Sequence, residues 1–172
     1  TGEPYILFID HVNDRIPDHH KMAGLSVKMS NLCCEITLPT GIDHLGNDRT
    51  AVCCLSSLNL ETFDEWENHP TFIEDVMRFL DNVLSDFIKT APDTMKRAKY
   101  SAMRERSVGL GVMGFHGFLQ SKMIPMEGVM AKVWNNRIFR HIKAQADEAS
   151  VKLAGERGAC PDAADYGIME RF

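Results

Sequence analysis

Three side chains with complementary chemistry alternate along a short segment near residue 33. Asn31 supplies an amide that can form hydrogen bonds, Cys33 a thiol that can act as a nucleophile or radical carrier, and Glu35 a carboxylate that can act as a general base. If the segment is extended, side chains two residues apart point to the same face, so the three groups converge there. Leu32 and Cys34 would pack on the opposite face. An N-x-C-x-E pattern also arises by chance, so the alternation suggests a catalytic segment without establishing one.

The five cysteines carry most of the remaining reactive chemistry. They are Cys33, Cys34, Cys53, Cys54 and Cys160. An odd number in a chain of 172 residues does not indicate a secreted disulfide framework, so we expect a reducing, cytoplasmic compartment. The two vicinal pairs could form a zinc site, but zinc-binding cysteines are usually separated by two residues. The more frequent role of each cysteine is that of a small buried hydrophobe, and we expect a structural role for Cys160.

A glycine-rich motif and a basic run offer two further functional interpretations. Residues 109–114 match G-x-G-x-x-G, but the charged residues 103–108 before it do not predict the buried strand that a dinucleotide fold requires. No acidic residue near position 134 is available to bind a ribose. We therefore expect a glycine-rich helix that permits close packing. The basic residues within 96–106 could hold phosphate, although a solvated helix face is the more common outcome.

The composition is typical of a globular chain and excludes several functional classes. Apolar residues make up 44% and charged residues 25%, which excludes a disordered or collagen-like protein. The net charge of −5 argues against a broad surface for nucleic acid or anionic lipid. No apolar run approaches the length of a membrane span. Because the N-terminus has neither Met nor signal-peptide features, we expect the chain to be part of a longer or processed protein.

Two strands and two long helices are predicted as the framework that positions these groups. Apolar runs indicate strands at residues 5–9 and 50–60, with a loop over residues 10–30. Apolar steps of three or four predict amphipathic helices near residues 70–89 and 126–157. Their expected core-facing stripes are Phe72, Val76, Phe79, Val83 and Phe87 in the first helix, and Met130, Trp134, Ile138, Ile142, Ala146, Ala149 and Leu153 in the second. The pattern indicates one mixed α/β domain spanning residues 1–172.

Several segments, taken in order, resemble the large (alpha) subunit of class I ribonucleotide reductases. Residues 30–36, SNLCCEI, resemble the finger loop of the active site. Residues 2–10 are similar to the strand that leads into the finger, and residues 51–60 to the following strand, which carries a redox cysteine. Residues 106–114 and 156–161 resemble two later blocks of the family. Order and spacing agree across nearly the whole chain.

This resemblance implies a fold and a set of catalytic roles. The fold would be part of a ten-stranded α/β barrel whose central finger loop lies near residues 30–39. Cys33 would become a thiyl radical that takes the 3′ hydrogen of a ribonucleotide, with burial protecting the radical. Glu35 would accept the proton of the 3′-hydroxyl, and Asn31 would hydrogen-bond the sugar hydroxyls. Cys53 would be one of two thiols that reduce the 2′ carbon and close a disulfide, its partner lying outside this chain.

The resemblance also implies partners, and it assigns no catalytic role to Cys34 or Cys54. No cofactor is expected in this chain, because the radical would come from a small subunit that contains di-iron or di-manganese. We expect a ribonucleotide substrate, thioredoxin or glutaredoxin as reductant, the remaining parts of the large subunit, and a dimer under allosteric control. The product would supply deoxyribonucleotides for DNA replication. Neither nucleic acid nor a membrane is expected as a partner.

Three alternatives stay open at this point. Adenosylcobalamin-dependent reductases use the same chemistry, but they more often have Pro and Gly around the finger cysteine, where this chain has Leu32 and Cys34. Glycyl-radical enzymes would need a glycyl-radical loop near the C-terminus. A non-catalytic split fragment would act only by docking with its complement. We expect the isolated chain to be inactive.

Overall fold

The computed structural model describes residues 5–167. Its helices and strands follow one another in the order α1 (Ile9–Arg15), α2 (Asp18–Met22), β1 (Gly41–Ile42), β2 (Asp48–Arg49), β3 (Leu55–Asn59), α3 (Phe63–Trp66), α4 (Phe72–Thr90), α5 (Lys96–Glu105), β4 (Gly109–Met113), α6 (Phe115–Ser121), α7 (Val129–Arg157) and α8 (Pro161–Asp165). Short 3₁₀ turns precede α3 and α5. The predicted mixed α/β class is confirmed, and both long helices are present within a few residues of their expected bounds.

A pair of parallel strands forms the centre of the chain. β3 pairs with β4 in the register Leu55 to Gly109 through Asn59 to Met113, and helices α3 to α5 make the crossover between them. β1 and β2 form a separate antiparallel pair. Within residues 5–167 neither two-stranded sheet closes on itself, so the described residues contain no complete barrel. The strand predicted over residues 50–60 exists only in its second half.

The long helices α4 and α7 pack against each other, and α4 also packs against β3. Ile138 and Ile142 of α7 belong to the same core cluster as Leu58 of β3. The apolar face of α4 is rotated from the predicted one, because Ile73, Leu80 and Leu84 are buried whereas Phe79 and Val83 are exposed. Both stripes satisfy helical spacing, and only tertiary packing selects between them. The stripe of α7 is largely confirmed, with Ile138, Ile142, Ala149 and Leu153 buried and Met130 exposed.

The expected strand at residues 5–9 is wrong. Residues 5–8 are irregular and helix α1 begins at Ile9, while Tyr5 and Ile6 are largely exposed. The supposed loop over residues 10–30 contains both α1 and α2. Helix α1 has Asp10 in its first turn and Arg15 in its last, which complements the helix dipole. The part of the resemblance at residues 2–4 lies outside the described residues.

The glycine motif forms a strand rather than the expected helix. Residues 109–113 are β4, and a Cβ at Gly109 would collide with the side chain of Leu55 on β3. A Cβ at Gly111 would lie 3.4 Å from the Oγ atom of Ser57. The expectation of close packing through glycine is therefore met, but between two parallel strands.

Buried ion pairs, rather than a solvated face, occupy the C-terminal end of α5. Arg104 is only 8% exposed and its Nε atom donates to Asp162 at 2.9 Å. Arg49 is also buried and donates to Asp43 at 2.9 Å and to Asp162 at 2.8 Å. Burial raises the pKa of the neighbouring Glu105 to about 7. This network fixes the segment before Cys53 against α5 and α8.

Substitution of Gly114 tests how tightly β4 is joined to the turn after β3. Gly114 has φ +79°, and an added Cβ would lie 2.6 Å from Asn59 Oδ1. We expect Gly114→Ala to lower the free energy of unfolding by about 1–3 kcal/mol, measured by urea denaturation. The control is Gly155→Ala in α7, where an added Cβ meets nothing within 4 Å and a gain of roughly 0.5–1 kcal/mol is expected. Equal effects of the two substitutions would contradict the packing described.

Candidate active site

A hairpin-like loop between residues 27 and 39 carries the candidate catalytic residues. Its base is closed by an antiparallel bridge between Ser26 and Thr40, in which the Thr40 amide donates to the Ser26 carbonyl at 3.1 Å. The side chain of Asn13 on α1 holds the same base, because it accepts from the Val27 amide at 2.8 Å and donates to the Val27 carbonyl at 2.9 Å. Helix α1 therefore anchors the loop where the sequence predicted only irregular chain.

The tip of this loop is a turn and not an extended segment. The Cys34 amide donates to the Asn31 carbonyl at 3.1 Å, as in a β-turn, and Cys34 has φ +62°. Left-handed backbone is unusual for a residue other than glycine. The expected period-two alternation of side chains along residues 31–35 is therefore wrong, and any convergence of these groups has another cause.

Hydrogen bonds of the Asn31 side chain bring the amide and carboxylate groups of the loop together. Asn31 Nδ2 donates to Glu35 Oε1 at 2.5 Å, and Asn31 Oδ1 accepts from the Ile36 amide at 3.1 Å. The Ser30 hydroxyl closes the neck of the loop by donating to the Ile36 carbonyl at 2.6 Å. The amide and the carboxylate are thus brought into direct contact because the chain reverses direction between them.

Cys33 lies at the third position of this turn and is exposed. Its neighbour Leu32 is 82% exposed, so the tip of the loop projects away from the packed core of residues 5–167. The burial expected around the thiol is therefore not provided by the described part of the chain.

A pocket of about 200 Å³ joins the loop to the sheet. Glu35 lines it together with Cys53, and so do Ser107, Val108 and Gly109. Cys53 lies just before β3 and Ser107 just before β4, so the pocket is at the N-terminal edge of the parallel strands. Two of the four predicted site residues, one from the loop and one from the sheet, therefore share one cavity.

The two cysteines before β3 have different surroundings. Cys54 is buried against Leu80 and Leu84, and its Sγ atom donates to the Leu80 carbonyl at 3.5 Å. Both cysteines line the pocket, but only Cys53 is exposed. Partial burial of the sulfur, and then the negative charge of Glu35, raise the pKa of Cys53. Both effects favour the protonated thiol over the thiolate, and the protonated form can donate a hydrogen atom or a proton.

Sequence reasoning missed residues 107–109 as part of the site. The missing signal was the parallel pairing of β3 with β4. Had residues 109–113 been identified as a strand, residues 107–108 and 53–54 would have been expected at the same edge of the sheet. The glycines made this strand difficult to recognise, because glycine has a low strand propensity. The space that Gly109 leaves is filled by the Leu55 side chain of the paired strand, which the sequence alone does not reveal.

Other candidate groups take structural positions. Cys160 is 3% exposed, and burial raises the pKa of its thiol. It precedes α8 as the N-cap residue, which agrees with its expected structural role. Between residues 5 and 167 no three His, Cys, Asp or Glu side chains are grouped as metal ligands, so the zinc hypothesis finds no ligand set there. In the same part of the chain no helix has the length and apolarity needed to cross a membrane.

Comparison with known proteins identifies the relatives of this chain. The ribonucleotide reductase barrel domain matches residues 1–166. The ribonucleoside-diphosphate reductase large subunit of Invertebrate iridescent virus 3 is 47% identical over 97% of this chain and 26% of that protein. A putative large subunit of Frog virus 3 is 46% identical over 98% of this chain and 29% of that protein. The solved class Id ribonucleotide reductase alpha subunit of Actinobacillus ureae has a TM-score of 0.86 and 40% identity, over 97% of this chain and 31% of that one. The chain thus spans between a quarter and a third of these relatives.

The electrostatic effect of Glu35 on Cys53 can be tested through the reactivity of the thiol. Removing the carboxylate charge with Glu35→Gln favours the thiolate, so the pKa of Cys53 should fall. We expect the pH midpoint for alkylation of Cys53, followed by mass spectrometry of its peptide, to move to lower pH. The control Glu127→Gln changes an exposed carboxylate that does not line this pocket and should leave the midpoint in place. An unchanged midpoint in Glu35→Gln would show that the two groups do not interact.

Proposed function

Because this chain belongs to the ribonucleotide reductase barrel-domain family, we propose that it carries the radical-bearing loop and one reducing thiol of an enzyme that converts ribonucleotides to deoxyribonucleotides. The main supporting observation is the 2.5 Å contact between Asn31 and Glu35 in the turn that carries Cys33. Glu35 in turn shares a pocket with Cys53. The reaction requires an amide, a carboxylate and three thiols, and this chain carries all of these groups except one of the two reducing thiols.

The first half of the reaction uses the groups of the loop. A thiyl radical on Cys33 removes the hydrogen atom from the 3′ carbon of the ribose, so an S–H bond forms as the C–H bond breaks. The carboxylate of Glu35 accepts the proton of the 3′-hydroxyl as a general base. Asn31 Nδ2 already points at the Glu35 carboxylate. The second N–H of this amide group can donate to a ribose hydroxyl, and the same hydroxyl can donate to Glu35. Two such hydrogen bonds would fix the sugar for hydrogen transfer.

The second half uses the thiol of Cys53 and a second thiol outside this chain. The 2′-hydroxyl leaves as water after protonation, and the two thiols supply two electrons and become a disulfide. The hydrogen atom on Cys33 then returns to the 3′ carbon and regenerates the thiyl radical. The raised pKa of Cys53 favours this role because the protonated thiol is the form that donates. The net change is one ribonucleotide and two thiols to one deoxyribonucleotide, one disulfide and water.

The relatives suggest the substrate and the radical source. Two of them are named ribonucleoside-diphosphate reductases, which favours a ribonucleoside diphosphate as substrate. The class Id alpha subunit favours a separate small subunit with a di-iron or di-manganese centre over adenosylcobalamin. Thioredoxin or glutaredoxin would then reduce the disulfide. We place the assembled, dimeric enzyme in the cytoplasm.

The exposed loop tip indicates that further chain is needed to complete the active site. Cys33 is exposed, and a radical at this position requires shielding from solvent. Because the relatives are three to four times longer than this chain, other parts of the large subunit are the natural cover. The alternative of a fragment that docks with its complement is compatible with this proposal, because docking with the rest of the large subunit would complete the catalytic centre.

Replacement of the two adjacent loop cysteines separates the radical carrier from its neighbour. In the assembled enzyme we expect Cys33→Ser to lower the rate of deoxyribonucleotide formation by at least about a thousandfold, because a serine hydroxyl does not form the corresponding radical. The matched variant Cys34→Ser should stay within about threefold of the parent, since it keeps the size of the side chain and touches no substrate. Thermal unfolding should be unchanged in both. Persistent turnover in Cys33→Ser would refute the assignment.

A further inference from the structure

A buried carboxylate on α4 holds a strained turn next to the candidate site. Asp81 is 2% exposed. Its side chain accepts from Arg106 Nε at 2.9 Å, from Arg106 Nη2 and from Arg157 Nη1. Charged hydrogen bonds of this kind compensate a buried carboxylate for its lost hydration. Helix α4 is thereby connected both to the end of α5 and to the end of α7.

Arg106 adopts the left-handed conformation that this network stabilises. It has φ +47° and ψ +35°, a conformation that is sterically unfavourable for a residue with a Cβ atom. Its Nη2 atom also donates to the Asp81 carbonyl at 3.1 Å and to the Ser85 hydroxyl at 2.7 Å. The Ser85 hydroxyl itself donates to the Asp81 carbonyl at 2.9 Å. We call Asp81, Ser85, Arg106 and Arg157 the Asp81 clamp.

The clamp lies directly behind one wall of the pocket. Residues 107–109 follow the Arg106 turn and line the cavity that Glu35 and Cys53 share. The Gly109 amide donates to the Cys54 carbonyl at 2.8 Å, which joins this wall to the chain at Cys53. On the other side, the Cys54 thiol donates to the carbonyl of Leu80, the residue before Asp81. One turn of α4 therefore holds both the chain that carries Cys53 and the segment packed beside it.

We propose that Asp81 is a positioning residue for the reducing thiol Cys53. By holding the Arg106 turn, Asp81 keeps residues 107–109 against Cys53 and so fixes the distance from that sulfur to Glu35. Asp81 itself lines no part of the pocket that contains Cys53 and Glu35, and it acts through Arg106. The consequence for turnover rests on the proposed function, whereas the placement of Cys53 is measurable without it.

The test compares Asp81→Asn with Arg78→Gln in the complete large subunit. Asn keeps the shape of the side chain but loses the charge that holds two guanidinium groups. Arg78 is also on α4, and it pairs with Glu74 and with Glu156 of α7 at the surface, away from the Arg106 turn. In Asp81→Asn we expect the alkylation midpoint of Cys53 to move to lower pH, because the sulfur gains water as its wall loosens. The same midpoint should not move in Arg78→Gln.

Turnover in the assembled enzyme provides the second measurement. We expect kcat of Asp81→Asn to fall about ten- to a hundredfold with KM changed by less than about threefold, because misplaced reacting groups slow the chemical step. Should Asp81→Asn fail to fold, Ser85→Ala removes one hydrogen bond from Arg106 and one to the Asp81 carbonyl, and it should shift the Cys53 midpoint in the same direction. An unchanged midpoint in the folded variant, or a loss of kcat without a shifted midpoint, overturns the proposal. If the unsubstituted parent enzyme itself reduces no ribonucleotide, the proposed function is refuted, whereas a shifted midpoint in Asp81→Asn still supports the positioning role.

Discussion

The reversal of the chain at residues 31–34 is the constraint on which the candidate site depends. In an extended strand the backbone from Asn31 to Glu35 would span about 13 Å, and their side chains would meet only through a third group. The turn replaces that span with a direct 2.5 Å hydrogen bond between amide and carboxylate. The left-handed backbone of Cys34 and the Ser30 bond across the neck hold this geometry. The turn thus carries Cys33 at its third position, between the residues whose amide and carboxylate are hydrogen-bonded to each other.

A second constraint joins the loop to Cys53, the proposed reducing thiol. Parallel pairing of β3 with β4 places Cys53 and residues 107–109 at the same edge of the sheet, where they meet Glu35. The glycine at position 109 allows this pairing because Leu55 occupies the space of a Cβ. The charge of Glu35 then acts on both partners in the proposed chemistry, since it can accept a substrate proton and it favours the protonated form of Cys53.

Sequence patterns identify the parts of this fold that depend on local periodicity and miss those that depend on tertiary contact. The helices α4 and α7 follow from apolar spacing, but the spacing of Phe79 and Val83 fits a helix as well as that of the residues actually buried. Residue types and spacing single out three candidate site residues, Asn31, Cys33 and Glu35, and the family resemblance adds Cys53. In the structure Asn31 bonds to Glu35, and Glu35 shares a pocket with Cys53. The turn at their centre was not predictable, because no glycine or proline marks it. The burial of Arg49 and Arg104 depends on acidic partners far along the chain, which charge patterning cannot reveal.

The most direct test of this account is a structure of the assembled enzyme with a ribonucleoside diphosphate bound. The account predicts ribose hydroxyls within hydrogen-bonding distance of Asn31 and Glu35, with the sulfur atoms of Cys33 and Cys53 both packed against the sugar at roughly 3–4 Å. A ribose bound elsewhere, or one that contacts Cys53 while the Cys33 sulfur points away from it, would contradict the central claim that one turn gathers the groups of a single reaction.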